Sequence, residues 1–216
     1  KDKEDPDYKV IEVNGIRVGM TAYTAETYDG MPGVPSINAI QVMPDTYGLI
    51  NSFDYGQLNK FYEEIGAQFE AMKAEGAEAI VVFMHWGEEY YYVPNLDQTL
   101  IARAAIDAGA DLVIGHHSHR INPIEEYKGR YICYSLGNFS FAGNTRPDDM
   151  DTYIFQQRWR VYPDSGRVVN DGFRIIPCSI SSQEKVNDFK PTPAERDHSS
   201  AILARLEELD AKFEKK

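Results

Sequence analysis

Two short apolar runs, each ending in histidine and separated by one helical repeat, constrain the fold of this chain more than any other feature. Residues 79–84 are continuously apolar, the length of a strand buried on both faces, and they deliver His85 at their C-terminal end. Leu96, Leu100, Ile101, Ala104 and Ala108 then recur on one helical face, and Gly109 is placed to end that helix. A second buried strand, residues 112–114, follows and runs into Gly115-His116. Such a β-loop-α-β unit normally makes a parallel pair with a right-handed crossover, which predicts that both histidine loops emerge at one edge of one sheet. Ligand sites in open α/β sheets gather outside those carboxyl ends.

The flanking sequence adds β structure on both sides. Tyr8–Val13 and residues 16–24 are strand-like and are separated by Asn14-Gly15, the pair a type I′ hairpin turn favours because both central residues need positive φ. Residues 28–54, rich in Gly, Pro and Asn, read as a long loop facing solvent or a ligand. Leu58, Tyr62, Ile65, Phe69 and Met72 form the stripe of an amphipathic helix that Gly76 ends. Strands are expected near residues 131–135, 153–162 and 168–176, the last two joined by a turn at Pro163-Asp164-Ser165-Gly166. Residues 185–196 read as a polar linker, and Ile202, Leu206, Leu209 and Phe213 mark a final amphipathic helix.

Composition limits the function. The 216 residues are 43% hydrophobic and 12% aromatic, which suits a packed core, and no apolar run approaches the roughly 20 residues of a membrane span. A formal charge of -12 argues against sequence-independent nucleic-acid binding, which needs clustered Lys and Arg, and also disfavours other polyanions. Cys133 and Cys178 sit in strand-like apolar contexts and read as buried free thiols rather than a disulfide. The charged start, residues 1–7, has no apolar signal core and reads as following a cleaved segment, with any anchor upstream of it.

Four of the five histidines, His85, His116, His117 and His119, fall on the two loops predicted to be neighbours. An extended loop would put His117 and His119 on one side and His116 on the other. Imidazole nitrogens with carboxylates nearby suit Zn, Mn or Fe, metals that hydrolases use to activate water. Each histidine alone also fits a structural role. Glu88 and Glu89, just after His85, suit a metal ligand or a general base, and equally a solvated acidic loop. Trp86 and Tyr90 suit substrate stacking or plain packing. Arg120 offers a planar guanidinium to a carboxylate or phosphate, or a surface salt bridge. In Leu136-Gly137-Asn138-Phe139 the glycine permits close backbone approach, and Asn138 suits either a hydrogen bond to a histidine loop or a simple turn.

The order and spacing of these motifs resemble the CapA/PgsA-type capsule-synthesis proteins: His85-Trp86-Gly87-Glu88-Glu89-Tyr90, then Pro94 and Gln98, then Asp107-Ala108-Gly109-Ala110-Asp111-Leu112-Val113-Ile114-Gly115-His116-His117-Ser118-His119, then Tyr134-Ser135-Leu136-Gly137-Asn138-Phe139. The resemblance covers residues 10–141. It implies an α/β fold, a layered α-β-β-α sandwich like that of calcineurin-type metallophosphoesterases, with a metal centre at the strand ends. It implies His85, His117 and His119 as ligands of a divalent metal (Mn, Zn or Fe), with His116 beside them; together with the residue chemistry above, this makes Glu88, Glu89 and His116 the catalytic candidates and Trp86, Tyr90, Arg120 and Asn138 the substrate-binding candidates.

Family members open with Gly-Asp and Asn-His segments that supply further ligands. Neither precedes the first hairpin here, so the resemblance implies the C-terminal portion of the domain (residues 1–184), then a linker (185–197) and a helix packing on the domain (198–216). The rest of the metal site would come from a missing N-terminal segment of the same protein or from a separate chain. The implied role is in making or exporting poly-γ-glutamate capsule at the cell envelope, outside the cytoplasm, anchored through a segment not in this chain. The implied partners are an anionic capsule polymer or its precursor and other capsule-synthesis membrane proteins, with no nucleic acid. Three activities fit: a metal-dependent hydrolase of a phosphoester or γ-glutamyl amide, a non-catalytic polymer-binding envelope protein, and a chain inactive in isolation.

Overall fold

The computed structural model describes residues 7–27, 36–37, 40–41, 50–162, 164–165 and 167–214. Most of the predicted loop over residues 28–54 lies outside them. The fold is mixed α/β, and the chain divides into two compact units.

The first unit comprises Lys1–Trp86, Leu96–Val113 and Val161–Val168. Strand β1 (Tyr8–Val13) pairs antiparallel with β2 (Ile16–Thr27) across Asn14 and Gly15, whose φ values of 53° and 81° are those the predicted hairpin turn requires. β2 is the hub. It also meets β3 (Ser36–Ile37), which pairs with β4 (Ile40–Gln41), and runs parallel to β5 (Ser52–Phe53).

Asp54 then caps a 3₁₀ turn, its Oδ1 accepting from the Gly56 amide at 2.8 Å, and α1 (Leu58–Ala74) follows. Phe61, Ile65, Phe69 and Met72 form its buried face. Phe61 replaces the predicted Tyr62, whose phenol keeps access to water while Phe61 packs on Tyr23 and Phe53. At Gly19 on β2 an added Cβ would meet Met72 Sδ at 2.7 Å, so glycine sets how closely α1 lies on the sheet.

The Gly76 amide donates to Lys73 O and the Ala77 amide to Met72 O, the paired bonds of a glycine-terminated helix. β6 (Ala79–His85) then runs parallel to β2, in register from Val18↔Ala79 to Thr24↔His85. Helix α2 (Leu96–Ala108) packs against α1 and buries Gln98, Thr99, Ile101, Ala102, Ala105 and Ile106. Of the predicted stripe only Ile101 is fully buried. Leu96 and Leu100 are exposed, because the small Ala102 and Ala105 are the residues that permit close packing. Gly109 ends α2 with the same pair of bonds, and Asp111 fixes the entry to β7 (Leu112–His116): its amide donates to Ile80 O and its Oδ2 accepts from the Ile80 amide.

The second unit comprises Gly87–Asn95, Ile114–Arg160 and Val169–Lys216. Here β7, β9 (Arg130–Cys133) and β8 (Ile124–Tyr127) lie side by side in that order. β8 was not expected from the sequence. It forms a hairpin with β9 through Lys128-Gly129, both at positive φ, a turn whose lysine hides the usual Asn-Gly signal.

β10 (Asp151–Tyr162), β11 (Arg167–Ser179) and β12 (Thr192–Pro193) make a three-stranded sheet, and α3 (Arg196–Phe213) buries Ile202, Leu206 and Leu209 against Ile121 and Tyr153. Asp210 Oδ1 on α3 accepts from the Ile124 amide at 2.8 Å. Residues 185–197 are not a bare linker. β12 pairs with β11, and the buried Asn187 donates to the carbonyls of Phe141 and Asn144. Cys133 and Cys178 are buried free thiols, as their apolar surroundings predicted.

Candidate functional site

The candidate site is built within the second unit from three segments: the turn after Gly87, the loop after β7, and the residues that follow β9. The loop after β7 is not extended. His117 and His119 both have positive φ, 98° and 56°, a conformation that costs a residue other than glycine about 1–3 kcal/mol and concentrates at functional positions. The two rings still come together, with centroids 6.2 Å apart, through backbone reversal rather than strand alternation.

The surroundings hold this loop. Ser118 is buried; its hydroxyl donates to Arg120 O at 3.0 Å and its carbonyl accepts from the Tyr90 amide at 2.6 Å. Tyr90, itself at φ 70°, thereby stacks on His119 with centroids 5.9 Å apart. The Asn122 side chain donates to Tyr91 O at 2.9 Å, a second tie between the two segments. From the third segment, Gly137 bridges to Thr152, and an added Cβ there would lie 2.7 Å from the Asp151 carbonyl oxygen. That close approach is what the glycine of the Leu136-Gly137-Asn138-Phe139 motif provides.

Asn138 then meets His119, its Oδ1 2.7 Å from Nδ1. A carboxamide oxygen only accepts, so Nδ1 carries the proton and, in the neutral ring, Nε2 keeps its lone pair free. Nε2 faces Glu89, whose Oε1 is 3.9 Å away. Burial pushes the His117 imidazole below its ordinary value, His119 pushes it the same way, and Glu89 opposes them. Burial alone depresses His116. The neutral forms these shifts favour are the ligating and base forms.

His116 closes β7 half-buried, and Glu88 is exposed beside Glu89. His85 ends β6 in the first unit, opposite Thr24 of β2. Trp86, also in the first unit, is 1% exposed, so of its two readings, stacking and packing, its burial matches packing. Arg120 is 7% exposed and makes no ion pair with a described residue, which removes the surface salt bridge. Its guanidinium lies over Tyr90 and Tyr92 instead. Phe141, 5.1 Å from the His119 ring, and Tyr92 are contributors that sequence reasoning missed; the run Tyr90-Tyr91-Tyr92 was the available signal.

A divalent metal needs several ligands converging on one centre. Among the described residues no group of three or more His, Cys, Asp or Glu side chains is placed to hold one. The free Nε2 of His119 and its hydrogen-bonded Nδ1 match the usual arrangement of a metal-bound imidazole, but the described residues do not complete a metal site.

Comparison with known proteins gives a consistent family. Residues 1–142 match the family model described as "Bacterial capsule synthesis protein PGA_cap". The chain is 54% identical over 122 residues to a PGA biosynthesis protein CapA of Bacillus subtilis (strain 168), covering 56% of this chain and 28% of that protein. It is 39% identical over 175 residues to a capsule biosynthesis protein CapA of Bacillus anthracis, covering 78% of this chain and 36% of that one. A probable polyglutamine synthesis accessory protein of Mycobacterium tuberculosis is 42% identical over 76 residues, covering 35% of this chain and 20% of its own length. The chain thus spans about a third of the length of the first two relatives.

Proposed function

The chain belongs to the bacterial capsule synthesis protein family PGA_cap, and from that premise we propose that it is a component of poly-γ-glutamate capsule biosynthesis or export at the bacterial cell envelope. One observation carries this reading: the matched residues 1–142 contain the whole constellation of Glu89, Tyr90, His117, His119 and Asn138. Among the described residues no helix is long and apolar enough to cross a membrane, so the proposed envelope placement rests on the relatives' names.

The finer reading is a divalent-metal site, Mn, Zn or Fe, whose ligands include His117 and His119, with its remaining ligands supplied by other residues of the full protein. A metal would supply Lewis acidity and an activated water. Within this chain Asn138 fixes the His119 tautomer, Glu89 is positioned as a proton acceptor, and Tyr90 and Phe141 shield the imidazole. The reaction class proposed is hydrolysis or transfer at a phosphoester or γ-glutamyl amide. A second reading is a polymer-binding protein without catalysis that uses the same constellation for recognition, since among the described residues the donors present do not complete a metal site.

Complementation separates these readings. In a capsulated host whose own homologue is deleted, the full-length protein should restore capsule. His119→Ala and Glu89→Gln should each abolish it if the site is catalytic, with metal content by elemental analysis falling in His119→Ala alone. Full capsule with both variants would sink the site assignment. Failure of the intact gene to restore capsule would sink the role in capsule synthesis.

A further inference from the structure

A cavity of about 270 Å³ opens beside the site within the second unit, lined by Tyr90, His119, Arg120, Asn138 and Phe141, with Asp148 on its wall. Its size is at the small end for ligand pockets and suits a unit of one amino-acid residue rather than a length of polymer.

Arg120 is what makes this cavity chemically specific. The residue is more than nine-tenths buried, yet its guanidinium has only one hydrogen bond, from Nη1 to the His119 carbonyl at 3.1 Å. Its buried Nε donates to no described acceptor, and no described carboxylate pairs with it. Two tyrosine rings flank it, Tyr90 at 5.0 Å and Tyr92 at 5.6 Å. The carboxylate that Tyr92 contacts is engaged elsewhere: Asp149 accepts from Tyr92 Oη at 2.9 Å and pairs with Arg205 at 2.9 Å. A buried charge without a counter-charge is costly, and stacking on rings supplies only part of what hydration gave. The fork is pre-formed, positively charged and unsatisfied, the condition of a subsite whose partner arrives with the ligand.

The single acid on the wall selects among anions. Phosphate would bring up to two negative charges close to Asp148 with one guanidinium to meet them. A carboxylate brings one, and a ligand that also carries an ammonium satisfies Asp148 as well. We propose that this cavity binds an amino-acid end group, with the carboxylate on Arg120 and the ammonium toward Asp148. The amino end of a γ-linked glutamyl chain, which keeps a free α-carboxylate beside its ammonium, and free glutamate share this chemistry; the choice of glutamate rests on the proposed role in capsule synthesis, whereas the zwitterion preference rests on the cavity alone.

Calorimetric titration of the purified chain tests it with four probes: glutamate, a γ-linked glutamyl dimer, the same dimer acetylated at its amine, and inorganic phosphate. Glutamate or the dimer should bind, with the dimer tighter if the natural occupant is a chain end. Arg120→Met should weaken binding at least tenfold. Arg120→Lys, which keeps charge but loses the fork, should recover only part of it. Asp148→Asn, at an exposed position that leaves the fold intact, should erase the preference for the free over the acetylated amine. Equal binding of phosphate, or glutamate binding unchanged in a folded Arg120→Met protein, would overturn the proposal. Tight binding of another amino acid in place of glutamate would keep the cavity and remove its link to capsule synthesis. Loss of capsule in the Glu89→Gln strain with no zwitterion bound would do the reverse.

Discussion

At the scale of single residues the site depends on backbone positions that side-chain identity does not reveal. That His117 and His119 would approach each other was legible from their spacing, but the extended loop assumed for it was wrong: both residues lie at positive φ, which no local sequence signal announced. Asn138 was readable as a partner of a histidine loop, and the structure shows which nitrogen it holds. Gly137 is the most exacting of these positions. It lies at φ 77° with the Asp151 carbonyl where a Cβ would stand. Gly137→Ala should therefore cost about 1–3 kcal/mol, a fall in Tm of several degrees by thermal melting, because strain and close backbone contact act together. An unchanged Tm would mean that the 136–138 segment relaxes without cost.

At the scale of elements, buried strands were the most legible and helix faces the least. β6 and β7 are continuous apolar runs, and nothing competes with that reading. The face of α2 was misassigned because Leu96 and Leu100 carry more hydrophobicity than Ala102 and Ala105, whereas close helix packing selects the small residues. The predicted linker at residues 185–197 carries polar residues whose partners lie far off in sequence, which single-sequence reasoning does not see.

Asp188 ties that segment to residues 181–182. Its carboxylate accepts from the Ser182 hydroxyl at 2.6 Å and the Ser182 amide at 3.0 Å, and these bonds hold its pKa at about 2. A carboxyl depressed in the fold contributes stability that is complete above its ordinary value and lost as pH falls through the folded one. Proteolysis within residues 181–190 should therefore accelerate as pH drops from about 4 toward 2, and Asp188→Asn should show the fast rate already at pH 6. Identical rates for both proteins at pH 6 would count against this tie.

At the scale of the whole molecule, net charge restrains partner choice. With a formal charge of -12, the chain repels an anionic polymer at long range, so association should strengthen as salt rises from about 10 to about 150 mM and the screening length falls from about 30 to about 8 Å. Sedimentation with poly-γ-glutamate reads this directly, and weakening with salt would point to a local basic patch instead. One last consequence follows from the cysteines. Cys133 and Cys178 both lie in the second unit, both are buried, and burial raises both thiols above their ordinary pKa. A thiol reagent can reach them only when that unit opens, so their labelling kinetics form an intrinsic clock for its breathing. A ligand that occupies the histidine cavity should slow that clock, with no probe attached and no residue changed.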